Sequence, residues 1–88
     1  MPGRGPWAAG AFATRALTQA AAVELRDDGI HAALLVVDAT IRRAGTEPSD
    51  ALAEPQDVAA AVEYLAGQEP TAWSHELVVT PRGDTFVP

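Results

Sequence analysis

Between Ile30 and Val37 every position except His31 is apolar. Continuous apolarity over this length, without alternation, suits a strand covered on both faces, as in a parallel sheet with helices on either side. Burying Leu34, Leu35, Val36 and Val37 would stabilise the fold by roughly 1.5–3 kcal/mol each. What lies on either side of the run must therefore supply that cover.

Upstream, Trp7 to Asp28 has the pattern of a helix. Phe12, Ala16, Ala20 and Val23 share one face, and Leu17, Ala21 and Leu25 form an adjoining row. So broad an apolar arc predicts contacts on more than one side. Gly29 is placed to take the left-handed conformation that ends a helix, with Ile30 next to it as a Schellman-type ending prefers. Met1 to Pro6, with its alternating Gly and Pro, is expected to be loop.

Downstream, Asp38 to Glu54 is irregular, with Ala39 to Ala44 fit for one helical turn and Gly45 to Asp50 rich in loop residues. A second helix is expected from Pro55, which suits the first helical position, and Asp57 complements its positive end. Val58, Ala61, Val62 and Leu65 form its apolar stripe, Gly67 ends it and Pro70 prevents continuation. His75 to Thr80 reads as a second strand, followed by a turn at Arg82–Asp84 and a tail that packs through Phe86.

The expected order is helix, strand, loop, helix, strand. The fold class is α/β: part of a doubly wound, Rossmann-like fold with one parallel crossover unit, right-handed by the general rule. Residues 1–88 form one incomplete domain. Two strands leave two open edges, so such a chain is expected to be half of a larger fold or an obligate partner in an assembly.

Composition excludes several functions. Twelve acids stand against six Arg, with no Lys and a net charge of −6. No basic stripe exists to displace counterions from a phosphate backbone, so nucleic acid is not an expected partner. There is no cysteine, hence no disulfide or thiol chemistry, which fits a reducing cytoplasm. No apolar run approaches the roughly 20 residues that span a membrane, and Met1–Pro6 lacks the apolar core of a signal peptide. A cytoplasmic protein without membrane association is expected.

Two stretches carry a resemblance. Trp7-Ala-Ala-Gly-Ala11-Phe-Ala-Thr-Arg-Ala-Leu-Thr-Gln and Ala22-Val-Glu-Leu-Arg-Asp-Asp-Gly-Ile-His resemble the second half of a short-chain dehydrogenase/reductase. Glu54-Pro-Gln-Asp-Val-Ala is similar to that family's helix near the C-terminus, and Trp73-Ser-His-Glu-Leu-Val-Val-Thr-Pro to the last strand of one subgroup. The resemblance implies a Rossmann-type fold, NAD or NADP as cofactor, and hydride transfer to or from alcohols and carbonyls. It also places Met1 mid-domain, so the chain is expected to be the C-terminal half of a longer protein.

The chemical positions depart from the family. Trp7 stands where the catalytic Tyr would be, and Ala11 where the Lys would be; neither moves a proton at a hydroxyl or holds a ribose. The Pro-Gly that faces the nicotinamide falls at Val37-Asp38, which leaves these two as the remaining cofactor-binding candidates. No Gly-x-x-x-Gly-x-Gly loop is present to cradle a pyrophosphate. A degenerate member that does not bind the cofactor by itself is therefore expected. The alternative is a non-catalytic interaction module that dimerises through helix 8–28, whose small residues Ala9, Ala13, Ala16 and Ala20 permit close packing. In the family that helix contributes to a helix-bundle dimer interface.

Other candidates have plainer readings. Trp7 reads as packing rather than as a ligand contact, and Asp38 as a cap or turn residue before Thr40, although strand carboxyl ends bind ligands in open α/β sheets. Arg42-Arg43 reads as a solvated face rather than a phosphate contact. His31 reads as an edge residue. His75-Glu76 has no second His or Cys at ligand spacing, so no metal site is expected. Ser74 lacks an activating His–acid arrangement, and Tyr64 lies far along the chain from any basic partner.

Overall fold

The structure, a computed structural model, describes residues 4–84, apart from the side chains of Arg4 and Trp7. It is a mixed α/β arrangement of two helices and short parallel strands in two small sheets. In chain order these are α1 (Arg4–Leu25), a 3₁₀ turn (Arg26–Asp28), β1 (Leu34–Val37), β2 (Thr40–Ile41), β3 (Leu52–Ala53), α2 (Pro55–Ala66), a second 3₁₀ turn (Pro70–Ala72) and β4 (Glu76–Val79).

Helix α1 begins three residues before the expected start, so Arg4–Pro6 are helical rather than loop. Pro6 sits in the first turn, where a missing N–H costs nothing because no intrahelical acceptor exists for it. Thr14 and Thr18 interrupt the apolar pattern without breaking the helix. Their hydroxyls donate to the carbonyls of Gly10 at 3.0 Å and Thr14 at 2.8 Å. The ending follows the sequence closely. Gly29 has φ 75°, its N–H donates to the Arg26 carbonyl at 3.0 Å, and the Ile30 N–H donates to the Leu25 carbonyl at 3.2 Å. These are the two bonds of a Schellman motif.

β1 pairs with β4 in parallel, Leu34 opposite Glu76 through Val37 opposite Val79. The strand is half the length of the apolar run, because β4 supplies ladder partners only for these four residues. All four β1 residues are half-buried rather than enclosed. In β4, Leu77 and Val79 are half-buried while Glu76 and Val78 are exposed, so one face of this sheet lacks cover. In register, Leu34, Val36, Glu76 and Val78 share a face, and Arg15 of α1 reaches it through an ion pair with Glu76 at 2.9 Å.

The segment between Asp38 and Glu54 contains a second parallel ladder in place of the expected helical turn. Thr40 pairs with Leu52 and Ile41 with Ala53, and Arg42 N–H extends the contact to the Ala53 carbonyl at 2.8 Å. Helix α2 begins with Pro55 at its first turn and Asp57 beside it, and Gly67 follows its last residue. Val58, Ala61 and Leu65 form its packed side, whereas Val62 flanks the stripe and is 52% exposed. At the end, Asp84 N–H closes a turn on the Pro81 carbonyl at 3.1 Å. Phe86 lies outside the described residues.

Burial is shallow throughout. Ala22 and Leu65, each 7% exposed, are the buried apolar side chains among the described residues. The chain exposes 6562 Å², where a compact monomer of this mass exposes about 4,900 Å². Its radius of gyration is 15.1 Å, against about 12 Å for a compact chain of this length. Helix α1 explains part of this. Its inner side carries Thr18, Ala21, Ala22 and Leu25, while the opposite side carries Phe12, Ala16, Ala20 and Val23, all exposed. The wide apolar arc is thus covered on one side only.

Candidate functional site

The carboxyl ends of the parallel strands open onto a cleft of about 350 Å³, bordered by Ala39, Asp50, Glu54, Asp57, Val79 and Arg82. Two features place it there. β1 and β4 stop in register at Val37 and Val79, and the ladder of β2 with β3 brings the start of α2 alongside. The amide of Asp38 donates to the Val79 carbonyl at 3.0 Å, which continues the strand pairing by one residue.

The charges in and around this cleft are mostly spent on one another. Arg42 holds Glu54 through two bonds, Nε to Oε1 at 2.6 Å and Nη2 to Oε2 at 3.0 Å, and its Nη1 donates to the Thr46 carbonyl at 2.8 Å. Hydrogen bonding from Arg42 holds the Glu54 carboxyl below its ordinary value; partial desolvation opposes this and the guanidinium charge reinforces it. The same hydrogen bond to Glu54 raises Arg42, against desolvation and with the carboxylate charge. Arg82 pairs with Asp50. The expectation that Arg42-Arg43 form a solvated face thus holds for the exposed Arg43 alone. Arg42 is a strut between the loop and the start of α2.

Val37 and Asp38, the two cofactor-binding candidates, lie at this end of the sheet. Val37 is half-buried within the ladder. Asp38 Oδ2 is buried without a hydrogen-bond partner, an arrangement that costs free energy because the oxygen has given up water for nothing. Ala11 is exposed on α1, and the side chain of Trp7 lies outside the described residues. Tyr64 is 60% exposed on α2.

A nicotinamide dinucleotide does not fit this donor set. Its pyrophosphate needs free N–H groups or cations, yet Arg42 and Arg82 are engaged by Glu54 and Asp50, and Asp57 adds negative charge.

The amino ends of the same strands carry a second constellation that spacing along the sequence does not show. The register that pairs Leu34 with Glu76, carried back three residues, sets His31 beside Trp73. Their rings stack with centroids 4.9 Å apart and planes 6° from parallel. His31 and His75 meet edge to face at 5.8 Å. His31 Nε2 donates to the Ser74 carbonyl at 2.6 Å, and His75 Nδ1 donates to the Ala32 carbonyl at 3.1 Å. Ser74 is itself gripped by Gln68, whose Oε1 accepts from the Ser74 N–H at 2.7 Å and whose Nε2 donates to Ser74 Oγ at 2.8 Å. Ser74 is a joint in this frame, and among the described residues the hydrogen-bond partner of its hydroxyl is the Gln68 amide and not a base. His31 is more than an edge residue, since it ties the entrance of β1 to the entrance of β4.

No family model, curated protein or solved structure matches the chain. Among the described residues, no helix is long and apolar enough to cross a membrane.

Proposed function

We propose that this chain is a short-chain dehydrogenase/reductase-like segment that serves as scaffold and does not catalyse hydride transfer. The observation that carries this reading is the parallel pairing of β1 with β4 across α2, with α1 and the 3₁₀ turn that follows it closed by Gly29 ahead of β1. That order and strand direction are what the sequence resemblance implies for the second half of a Rossmann-like sheet. The loss of chemistry is read from Trp7 and Ala11 at the Tyr and Lys positions, and from the pairing of Arg82 in the cleft, and of Arg42 beside it, with acids. NAD or NADP belongs to the family and not to this chain alone. The deciding experiment is titration of the purified chain with NADH and NADPH, followed by fluorescence and calorimetry. No saturable binding is expected; saturable binding abolished by Asp38→Lys would overturn the scaffold reading.

A second reading has its own support. Phe12, Leu17 and Val23 are 66%, 72% and 59% exposed on one helix, interleaved with the small residues Ala13, Ala16 and Ala20. Single exposed apolar residues are ordinary, but a continuous helix face of them is a feature of interaction surfaces. On this reading the chain is an interaction module whose α1 packs against a second copy of itself, with the small residues allowing close approach.

A further inference from the structure

Parallel pairing leaves each strand of a two-stranded sheet with one row of backbone groups unspent. The amides of Leu34 and Asp38 donate towards β4, to the carbonyls of His75 at 2.9 Å and Val79 at 3.0 Å. Backbone groups alternate in direction along a strand, so the N–H and C=O of Leu35 and Val37 point the other way. Among the described residues no second strand pairs with β1 and no backbone carbonyl receives those two amides. β4 has an open row as well, at Glu76 and Val78, but that row starts on a charge and Pro81 stands beyond its end. Charges and prolines are how sheet edges are kept from pairing. From Ala32 to Val37, β1 has neither.

Helix α1 turns this edge into a slot. Arg15 reaches Glu76 of β4 at 2.9 Å, and Leu17, two residues on, lies about 200° around the helix. Leu17 therefore overhangs the side of β1 that faces away from β4, where it is 72% exposed. Beneath it is a hollow of about 470 Å³ bordered by Thr14, Leu17, Thr18, Ala21, Ala32 and Ala33. Neither an acid nor an arginine borders it.

We propose that the open edge of β1, roofed by Leu17, takes one extended, uncharged segment of another polypeptide as an added strand. The outward groups of Leu35 and Val37 repeat at about 6.6 Å, the rise of two strand residues, and an extended backbone meets that repeat with its own donors and acceptors. The neutral lining selects a segment without charges. The area is sufficient: the excess of 6562 Å² over the roughly 4,900 Å² of a compact monomer is about twice the roughly 800 Å² that one partner buries in a standard interface. A second copy of β1 does not fit the slot. Pairing two copies edge to edge would set both α1 helices over strands about 4.8 Å apart, whereas packed helices need about 8–10 Å. This inference rests on the strand register and on neither reading of the chain's function.

The test is amide hydrogen exchange of the whole chain, read by NMR, with and without the end-capped peptide Val-Thr-Val-Thr-Val-Thr. In the free chain Leu35 and Val37 should exchange fast, and Leu34, Val36 and Asp38 slowly. Saturating peptide should slow Leu35 and Val37 by about tenfold or more and leave the other three as they were. The same peptide N-methylated at every residue keeps its side chains, has no N–H to give, and should not bind. Val37→Pro removes one outward N–H without touching the ladder to β4, and Leu17→Asp sets a charge in the roof; each should weaken binding by about tenfold or more. Leu17 is exposed enough for its substitution to leave the fold intact, so it decides the matter if Val37→Pro loses structure. Slowing at Glu76 and Val78 instead, binding of the N-methylated peptide, or no saturable binding would overturn the proposal. So would protection of Leu35 and Val37 that rises with chain concentration alone, which would make a second copy the occupant.

Discussion

The amide of Gly83 donates to the carbonyl of Asp50 at 2.8 Å, and a Cβ placed on Gly83 would lie 2.7 Å from the Cβ of Asp50. The C-terminal turn therefore rests directly on the loop that borders the cleft. Gly83→Ala must push the two backbones apart, because the nearest atoms include the Asp50 carbonyl group and not only a flexible side chain. A loss of about 1–3 kcal/mol is expected from such overpacking, read as a lower urea midpoint. An unchanged midpoint would show that the turn does not rest on Asp50 in solution.

Gly29 tests a different kind of constraint. Nothing stands within 4 Å of a Cβ there, but its φ of 75° is strained for any L side chain. Gly29→Ala should cost about 1–2 kcal/mol, and Gly29→Asn distinctly less, since Asn tolerates the left-handed region. Equal losses for the two variants would place the cost elsewhere than in backbone conformation.

The Arg42–Glu54 pair predicts an acid limb. Because Glu54 is held below its ordinary 4.5 in the folded state, its contribution is complete above that value and is lost as pH falls through the lower folded value. Stability of the unsubstituted chain should drop on acidification below about pH 4.5. Glu54→Gln should be less stable at neutral pH and show a shallower drop over that window. Side chains here are about a quarter exposed (26% for Arg42, 23% for Glu54), so added salt should weaken the contribution without abolishing it. Parallel acid profiles for both proteins would remove the pair from the stability of the fold.

The bare side of α1 predicts association. The unsubstituted chain should self-associate in sedimentation velocity, and Phe12→Ser combined with Val23→Ser should shift it towards monomer. Both residues point away from the inner side of α1, so their loss should not reduce helix content. A monomer that melts sharply and cooperatively, with these residues unchanged, would count against the interaction module.

Features set by local chemistry could be read from the sequence. The Gly29 stop, the start at Pro55 and the two main helices all follow from capping and period, which act over a few residues. The length of β1 did not, because an apolar run records what a strand could bury, whereas its extent depends on four residues of β4 far along the chain. The ladder of Thr40–Ile41 with Leu52–Ala53 escaped detection because two-residue strands have no period to recognise. Asp38 was visible from its place after the apolar run, but its unpartnered oxygen was not. The meeting of His31 with His75 required the strand register, which no spacing rule supplies. Periodicity likewise showed that α1 is amphipathic without showing which of its two apolar rows would be left bare.

The short ladder of β2 with β3 has a consequence for how the chain can vary. It pins Ile41 to Ala53 on either side of an exposed loop, so the position of α2 over the cleft is set by those backbone bonds and not by the loop's length. Closing a longer loop costs only about 0.6 kcal/mol for each doubling. The stretch from Arg43 to Ser49 is therefore a natural insertion point, where added residues would bulge outward while the strand ends and the cleft stay in place.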